Sequence, residues 1–401
     1  MSSSPQQRWA YGYFLVMLAL ALGISGLPSP LYPLYQEQWH LSPLTITVVF
    51  AGYAIGALVS ALTVGPISDA VGRKPVLLVA LSIILVGLAV FLIADHAWQL
   101  VLARLLHGVA VGALTVVAGA ALLDLRPHDG ARNGMAGGVA LNTGMAVTVL
   151  AVAVAAQWAK DPLQLPYVIF AVITAAMLAI LMLLSEPHVE RTGGRFRITA
   201  PTVPSGIRTD FWFAAMGIVT AWSVLGVFMS LYPRLTQEAT GHPSIVFVGV
   251  VISVMAAASA LAQWASGRGD PRTTAIIGDL GMAVSLLLAI LALHSGLTWF
   301  VIVDATVLGI AFGMAFGGSL RYLSEVVPGD ARGAVMSAYY LLGYLAMAVP
   351  TVAAGAMSSR FGTLTVFPYF VGAVTLGCLA AAWLGIRGAQ EPPVVVTDVK
   401  P

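Results

Sequence analysis

The stretch that decides the fold is a short charged segment between two long apolar runs, Gly65-Pro-Ile-Ser-Asp69-Ala-Val-Gly72-Arg73-Lys74-Pro75. Residues 44–64 before it carry no charge, and neither do residues 76–94 after it. A mostly apolar run of about 20 residues is long enough to cross a bilayer as a helix. The segment therefore predicts a tight, charged turn between two transmembrane helices.

The composition places the whole chain in the membrane. Of its 401 residues, 59% are hydrophobic and only 9% are charged, and the mean hydropathy is +0.91. Soluble domains carry about 25% charged residues. Long continuous apolar runs indicate helices, because barrel strands would be short and alternating. We expect twelve spans, near residues 11–31, 44–64, 75–95, 98–122, 133–158, 165–185, 210–233, 244–265, 273–294, 297–320, 332–357 and 363–386.

The basic residues predict the orientation of the chain. If the amino terminus lies inside, the outer segments contain only Lys160, Arg234 and Arg360, while Arg104 lies within a span. The remaining fifteen of the nineteen Lys and Arg residues then face the cytoplasm, as the positive-inside rule requires. We expect a multi-pass protein of a prokaryotic cytoplasmic (inner) membrane with both termini cytoplasmic. Because membrane topology accounts for the distribution of the basic residues, we expect no nucleic acid partner.

Two halves of the chain repeat each other at an interval near 200 residues. Leu31-Tyr32-Pro33 after the first span recurs as Leu231-Tyr232-Pro233 after the seventh. Pro127 and Asp129 before the fifth span have counterparts in Pro328 and Asp330 before the eleventh. The predicted fold is therefore an all-α membrane protein with two pseudo-symmetric six-helix bundles, residues 1–185 and 210–401, joined by a cytoplasmic linker, residues 186–209. Duplicated halves are a common transporter plan, with the substrate between the repeats.

The charged segment resembles the signature loop G-x-x-x-D-x-x-G-R-K of the major facilitator superfamily, found between its second and third helices. The matching residues are Gly65, Asp69, Gly72, Arg73 and Lys74. The resemblance implies a conformational latch in which the aspartate meets the positive N-terminus of the eleventh helix, near Arg332. It also implies that the loop arginine pairs with an acid at the end of the fourth helix, here Asp124.

A second resemblance lies in the fourth span. Arg104-Leu-Leu-His107-Gly108 is similar to the superfamily motif R-x-x-Q-G, with His107 in place of glutamine. In drug:proton antiporters, the branch that the chain resembles, this arginine is associated with proton coupling. The alternative is a structural arginine bonded to backbone carbonyls of the first helix. The fifth span begins like the antiporter motif at Gly138 but lacks its proline, and the first span has no acid, so the sequence does not support cationic drugs as substrates.

Acidic residues within spans are costly and usually functional. Asp304 follows Arg104 by 200 residues, and we expect the two to face one central cavity from opposite halves and to couple protons. Asp279 in the ninth span is expected to be structural, either supporting the inner gate or pairing with Arg272 or Arg268. The polar and aromatic residues expected in the substrate cavity are His107, Asn142, Trp222, Tyr53 and Tyr232, with Ser223, Tyr339, Tyr340 and Tyr344 as further candidates.

These features predict a secondary active transporter that moves a small organic molecule by alternating access, as a functional monomer. Proton-coupled efflux is the first hypothesis, and proton-linked uptake of a sugar or carboxylate is the alternative. A transport-inactive membrane sensor is a further alternative. The chain has no nucleotide-binding P-loop, no metal-ligand spacing and no nucleophile with a base, so we expect no enzyme, no metal and no cofactor beyond the proton gradient.

Overall fold

The computed structural model describes residues 5–127, 130–186, 201–329 and 331–388. Within these ranges the chain forms helices and no strand, and twelve helices are long and apolar enough to cross a membrane. The prediction of an all-α, twelve-span fold is confirmed. The α-helices are α1 (Pro5–Gly26), α2 (Tyr32–Trp39), α3 (Pro43–Val71), α4 (Arg73–Leu92), α5 (Ala97–Leu125), α6 (Gly130–Trp158), α7 (Leu165–Leu183), α8 (Arg208–Ser230), α9 (Tyr232–Thr240), α10 (Ile245–Ser266), α11 (Pro271–Ser295), α12 (Thr298–Val326), α13 (Arg332–Phe361) and α14 (Thr363–Gly388).

Helices α2 and α9 are short extensions of the first and seventh spans, and the other twelve helices are the spans. We call the end of the molecule at which α1 begins and α14 ends the proximal end, and the opposite end the distal end. Ser42 and Ser244 start α3 and α10 at the distal end, where their side chains accept hydrogen bonds from backbone amides three residues on. Such caps satisfy amides that the first helical turn leaves without partners.

The helices form two bundles, an N bundle of α1–α7 and a C bundle of α8–α14, which meet where α3 packs on α13 and α6 packs on α10. Glycines bring helices close together inside each bundle. A Cβ atom on Gly108 of α5 would lie 2.1 Å from the carbonyl oxygen of Tyr53, and one on Gly309 of α12 would lie 2.2 Å from that of Met255. Gly112 and Gly313 make the next such contact, so α5 and α12 correspond at an interval of 201 residues.

The two bundles close against each other at the distal end through a pair of equivalent contacts. Gly355 of α13 receives Thr47 of α3, and Gly249 of α10 receives Ala153 of α6. Thr47 corresponds to Gly249, and Ala153 to Gly355, at an interval of 202. In both contacts the glycine lies on the C bundle. We call these two contacts the distal seal.

The approximate symmetry axis also passes through the distal end. Ser29 Oγ lies 3.6 Å from Met229 Sδ, and these residues are 200 positions apart. A residue that touches its own counterpart must lie beside the axis that relates the halves. The proposed repeat partners Asp129 and Asp330, and residues 187–200 of the predicted linker, lie outside the described residues.

Candidate functional site

The signature loop is a one-residue break between α3 and α4, formed by Gly72. Its φ is +103°, a backbone conformation that residues with a Cβ rarely adopt. A Cβ atom there would also lie 2.7 Å from an oxygen of Glu186. Two separate constraints therefore require glycine at this position, and they explain why the turn is so tight.

Arg73 organises the charges of the loop. Its Nε donates to Asp124 of α5 at 3.0 Å, and its Nη1 contacts Asp69 and donates to Ser68 Oγ at 2.7 Å. The Arg73 side chain is only 7% exposed, whereas that of Asp69 is 51% exposed. The structure thus contains the Arg73–Asp124 ion pair. The role of this pair as a latch, and the contact of Asp69 with the start of α13, remain predictions.

Glu186 is a loop partner that the sequence reasoning assigned only to the linker. Its two carboxylate oxygens accept the backbone amides of Arg73 at 2.9 Å and of Lys74 at 3.1 Å, which caps the N-terminus of α4. The Lys74 ammonium donates to the backbone oxygens of Met182 and Leu184 at the end of α7. The one feature of the sequence that indicates this contact is the position of Glu186, an acid directly after the sixth apolar run.

The corresponding loop of the C bundle is held in a different way. Asp270 caps α11, accepting the Thr273 amide at 2.7 Å, and hydrogen bonding from Thr273 holds the pKa of Asp270 below its usual value. Arg321 of α12 donates to the carbonyl oxygens of Ser266 and Gly269. The arginine therefore lies on the span here and the loop supplies carbonyls, whereas in the N bundle the arginine lies in the loop and the span supplies an acid.

Arg104 lies inside the N bundle with no exposed surface. Its Nη1 donates to the backbone oxygen of Ser25 in α1 at 2.8 Å, and its guanidinium lies 4.6 Å from the ring centre of Tyr53. The bond to Ser25 is the contact expected of a structural arginine. The Nε and Nη2 groups, however, are buried and have no hydrogen-bond partner among the described residues.

The structure corrects the pairing of Arg104 with Asp304. The glycine contacts of α5 and α12 align at an interval of 201, so the counterpart of Arg104 is Ala305, and that of Asp304 is Ala103. One residue turns a helix by about 100°, so the two charges leave their helices in different directions. Asp304 accordingly faces α11, where Ser285 Oγ donates to it at 3.1 Å, and it does not face Arg104.

Two residues expected in the cavity, His107 and Tyr232, lie elsewhere. His107 is fully buried against α4, where the missing side chain of Gly87 leaves room for its ring. Tyr232 is 2% exposed and stacks on Phe228 inside the C bundle. Asn142, which is half-buried, donates to the Gly138 carbonyl one turn back in α6, a local bond that satisfies an amide in a span. A Cβ atom on Gly138 would lie 3.2 Å from Oε1 of Gln263 in α10, so this part of α6 faces the C bundle.

Trp222 lies in an aromatic group where the two bundles meet. Its ring centre is 4.7 Å from that of Tyr344 and 5.8 Å from that of Phe316, and Tyr340 completes the group. The phenol of Tyr344 lies near enough to Tyr53 of α3 to interact with it electrostatically. We call Tyr53, Arg104, Trp222, Phe316, Tyr340 and Tyr344 the central cluster. Its members come from both bundles, Tyr53 and Arg104 from the N bundle and the four other rings from the C bundle, and α13, which carries Tyr340 and Tyr344, packs on α3, which carries Tyr53.

Two pseudo-symmetric six-helix bundles with a cluster of polar and aromatic side chains between them define a class of membrane transporter folds. The chain belongs to the Major Facilitator Superfamily, whose family model matches residues 12–349. Two solved structures have the same fold. The human organic anion transporter MFSD10 (TETRAN) has a TM-score of 0.70, with 16% identity over 95% of this chain and 100% of its own. A mutant of the nucleoside transporter NupG has a TM-score of 0.74, with 12% identity over 94% of this chain and 99% of its own.

Curated relatives match shorter parts of the chain. The gentisate transporter of Corynebacterium glutamicum is 24% identical over 63% of this chain and 60% of its own length. The gallate transporter of Pseudomonas putida is 39% identical over 82 residues, 20% of this chain and 18% of its own length. The D-xylose transporter of Levilactobacillus brevis is 32% identical over 94 residues, 23% of this chain and 21% of its own length. The chain thus matches less than two thirds of each.

Proposed function

We propose that the protein is a secondary active transporter that carries a small organic acid between the N and C bundles by alternating access. The observation that carries this proposal is the Arg104 guanidinium of the central cluster, whose buried Nε and Nη2 groups have no hydrogen-bond partner among the described residues. A buried donor without a partner costs about 1–3 kcal/mol, and more when it is charged. A carboxylate of the substrate would satisfy both groups at once, since the planar guanidinium matches a carboxylate in shape.

The aromatic rings supply the other half of the proposed site. Trp222, Phe316, Tyr340 and Tyr344 are only partly buried, so their faces are available to the apolar body of a substrate. A contact between two aromatic rings contributes more binding free energy than the buried apolar area alone accounts for. A ligand that contacts Arg104 on the N bundle and these rings on the C bundle would bind at the interface between the two halves, where alternating access places the substrate. The relatives named for gallate and gentisate, which are carboxylates, support the same substrate class.

Proton-coupled efflux, expected from the resemblance to the drug:proton antiporter branch, is the direction that we propose. Uptake of a sugar or carboxylate is the second candidate, and the named relatives favour its substrates. In either direction we propose a functional monomer in a prokaryotic inner membrane, with the proximal end in the cytoplasm. The family and these relatives support a transporter rather than an enzyme.

A proton-flux assay in proteoliposomes tests the proposal. The compounds are an aromatic carboxylate, an aliphatic carboxylate and a neutral sugar, each added with a pH-sensitive dye inside the vesicles. Protons that move with the compound indicate symport, and protons that move against it indicate antiport. We expect flux with a carboxylate, whereas flux with the sugar alone would overturn the assignment of substrate class. A folded protein that gives no compound-dependent flux would favour the sensor alternative.

The substitution Arg104→Lys tests the role of the guanidinium. Lysine keeps the charge but lacks the fork, so we expect carboxylate binding to weaken by roughly 10- to 100-fold, the equivalent of one or two charged hydrogen bonds. Arg126→Lys is the matched control, because Arg126 also lies over a tyrosine ring, that of Tyr11, but at the proximal end. Equal effects of the two substitutions would contradict a specific role for Arg104.

A further inference from the structure

The most isolated charge-bearing side chain in the described part of the protein is Asp279, near the middle of α11. It has no exposed surface, and neither of its carboxylate oxygens has a hydrogen-bond partner among the described residues. Asp304, the other buried acid of the C bundle, at least accepts a bond from Ser285. The pairing of Asp279 with Arg272 or Arg268 expected from the sequence is absent from the described contacts. Arg272 instead lies over the rings of Phe213 and Tyr322.

The neighbours of Asp279 are polar but uncharged. Helix α14 presents the thiol of Cys378, and α13 presents the phenol of Tyr339, both near enough to interact with the carboxyl electrostatically. Helix α12 packs its backbone at Ala315 against the adjacent Gly278. Its own buried acid, Asp304, lies opposite Ser285, six residues and therefore about 9 Å further along α11. In this arrangement of the described residues, an ionised carboxylate would have no paired cation and would accept no hydrogen bond, because the phenol of Tyr339 is engaged with Ser319.

The fold itself does not need an acid at this position. Helices α4 and α11 correspond at an interval of 198, because α4 begins at Arg73 and α11 at Pro271, and buried positions such as Ile84 and Met282 match at that interval. The counterpart of Asp279 in the N bundle is then Leu81, an apolar residue that is equally buried. Ionisable residues inside a membrane protein are expensive and usually serve function. The same bundle architecture is therefore built once with leucine and once with an acid that has no structural partner.

We propose that Asp279 is a proton-binding site of the C bundle, which holds its proton while the distal seal is closed and releases it when the bundles rearrange. The proposal deepens the proposed function, since it names the group that exchanges the coupling proton. In the closed state the carboxyl is neutral, with its proton on one of the two buried oxygens. Release gives a carboxylate and transfers the proton to water, and reprotonation restores the neutral acid.

Helix α13 is the element that connects this site to the rest of the protein. Tyr339 shares a hydrogen bond of 3.0 Å with Ser319, and the next residue, Tyr340, belongs to the central cluster. The same helix carries Gly355 of the distal seal. A movement of α13 that opens the seal would shift Tyr339 relative to Asp279, so the phenol could leave Ser319 and donate to the new carboxylate. Occupancy of the central cluster, opening of the seal and loss of the proton would then occur together.

Infrared difference spectroscopy tests the proton site without any transport measurement. Purified protein in lipid is titrated, and the carbonyl stretch of protonated carboxylic acids is followed. We expect a band that persists at neutral pH, disappears in Asp279→Asn and shifts in Asp279→Glu. Asp161→Asn removes an exposed carboxyl in the loop between α6 and α7 and should leave the band unchanged. A band that survives in Asp279→Asn and disappears in Asp304→Asn would assign the proton to Asp304 and overturn the proposal.

Transport assays in proteoliposomes test the coupling. We expect Asp279→Asn to exchange labelled carboxylate across the membrane without a gradient, while its accumulation driven by a pH gradient falls at least 10-fold. Wild-type accumulation by this variant would overturn the coupling role. If wild-type protein moves no compound, the proposed function fails, whereas the infrared titration still decides whether Asp279 holds a proton. Folding of each variant is checked by the protection of Cys378, which is fully buried.

Discussion

Replacing Glu186 by alanine removes the carboxylate that caps α4 and should destabilise the whole signature loop. The two bonds to the amides of Arg73 and Lys74, at 2.9 and 3.1 Å, disappear together. Loss of an N-cap costs about 0.5–2 kcal/mol, and loss of a negative charge at a partly buried helix N-terminus costs up to about 2 kcal/mol. Because the same carboxylate makes both contributions, we expect a loss of about 2 kcal/mol in the free energy of unfolding.

The chain supplies its own reporter for this measurement. Cys378 is its single cysteine and is fully buried, so a fluorogenic maleimide labels the protein only when it unfolds. If unfolding and refolding are faster than labelling, a loss of about 2 kcal/mol raises the labelling rate roughly 30-fold. Glu186→Gln keeps an acceptor but loses the charge, and we expect an intermediate rate.

Glu238→Ala is the matched control for Glu186→Ala. Glu238 pairs with Arg234 at 2.8 Å on the surface of α9, and both side chains are more than a third exposed. Exposed pairs contribute about 0.2–1 kcal/mol, so labelling should rise by no more than about fivefold. The reasoning is refuted if Glu186→Ala labels at the wild-type rate, or if the control labels as fast as Glu186→Ala.

Three further substitutions test the gate and the coupling. Asp69→Ala should leave Cys378 protected but slow transport at least 10-fold, and wild-type transport rates would rule out the latch. Asp304→Asn should abolish the pH dependence of transport if this acid also couples protons, and an unchanged pH profile would reject that role. Gly355→Ala places a Cβ atom 2.0 Å from Thr47 Oγ1, so an overpacking cost of about 1–3 kcal/mol should open the distal seal. The opening is measured in a protein that carries Ser29→Cys and Cys378→Ser, in which the thiol at position 29 should be labelled faster when Gly355→Ala is added. Gly372→Ala is the control and should not change the labelling rate, because its Cβ atom would meet nothing within 4 Å.

The fold could be predicted from the sequence because it depends on properties that a linear sequence displays. Run length and charge predict twelve helices, since a bilayer requires about 20 apolar residues per span. Repeated tripeptides such as Leu31-Tyr32-Pro33 and Leu231-Tyr232-Pro233 indicate the two halves. The Arg73–Asp124 pair was also accessible, because the family resemblance supplies a contact between helices that the residues alone do not.

The candidate site was harder to predict because it depends on rotation about helix axes. The interval of 200 that matches Tyr32 to Tyr232 does not hold for α5 and α12, which correspond at 201. A shift of one residue turns Asp304 away from Arg104 and toward α11. His107 illustrates the same limit, since nothing in the sequence reveals that Gly87 leaves room for its ring on α4.

The differences between the halves are as informative as their similarities. Glycines such as Gly108 and Gly309 repeat because they set the distance between helices, so they maintain two bundles that can move against each other as equivalent bodies. The arginine, histidine and aspartate side chains buried in the interior of the described spans do not repeat. The N bundle holds the bases Arg104 and His107, and the C bundle holds the acids Asp279 and Asp304. On the proposals made above, an anionic substrate meets the N bundle and the proton meets the C bundle. Each ligand then biases the arrangement of bundles that it binds more tightly, and the two equilibria are coupled through α13.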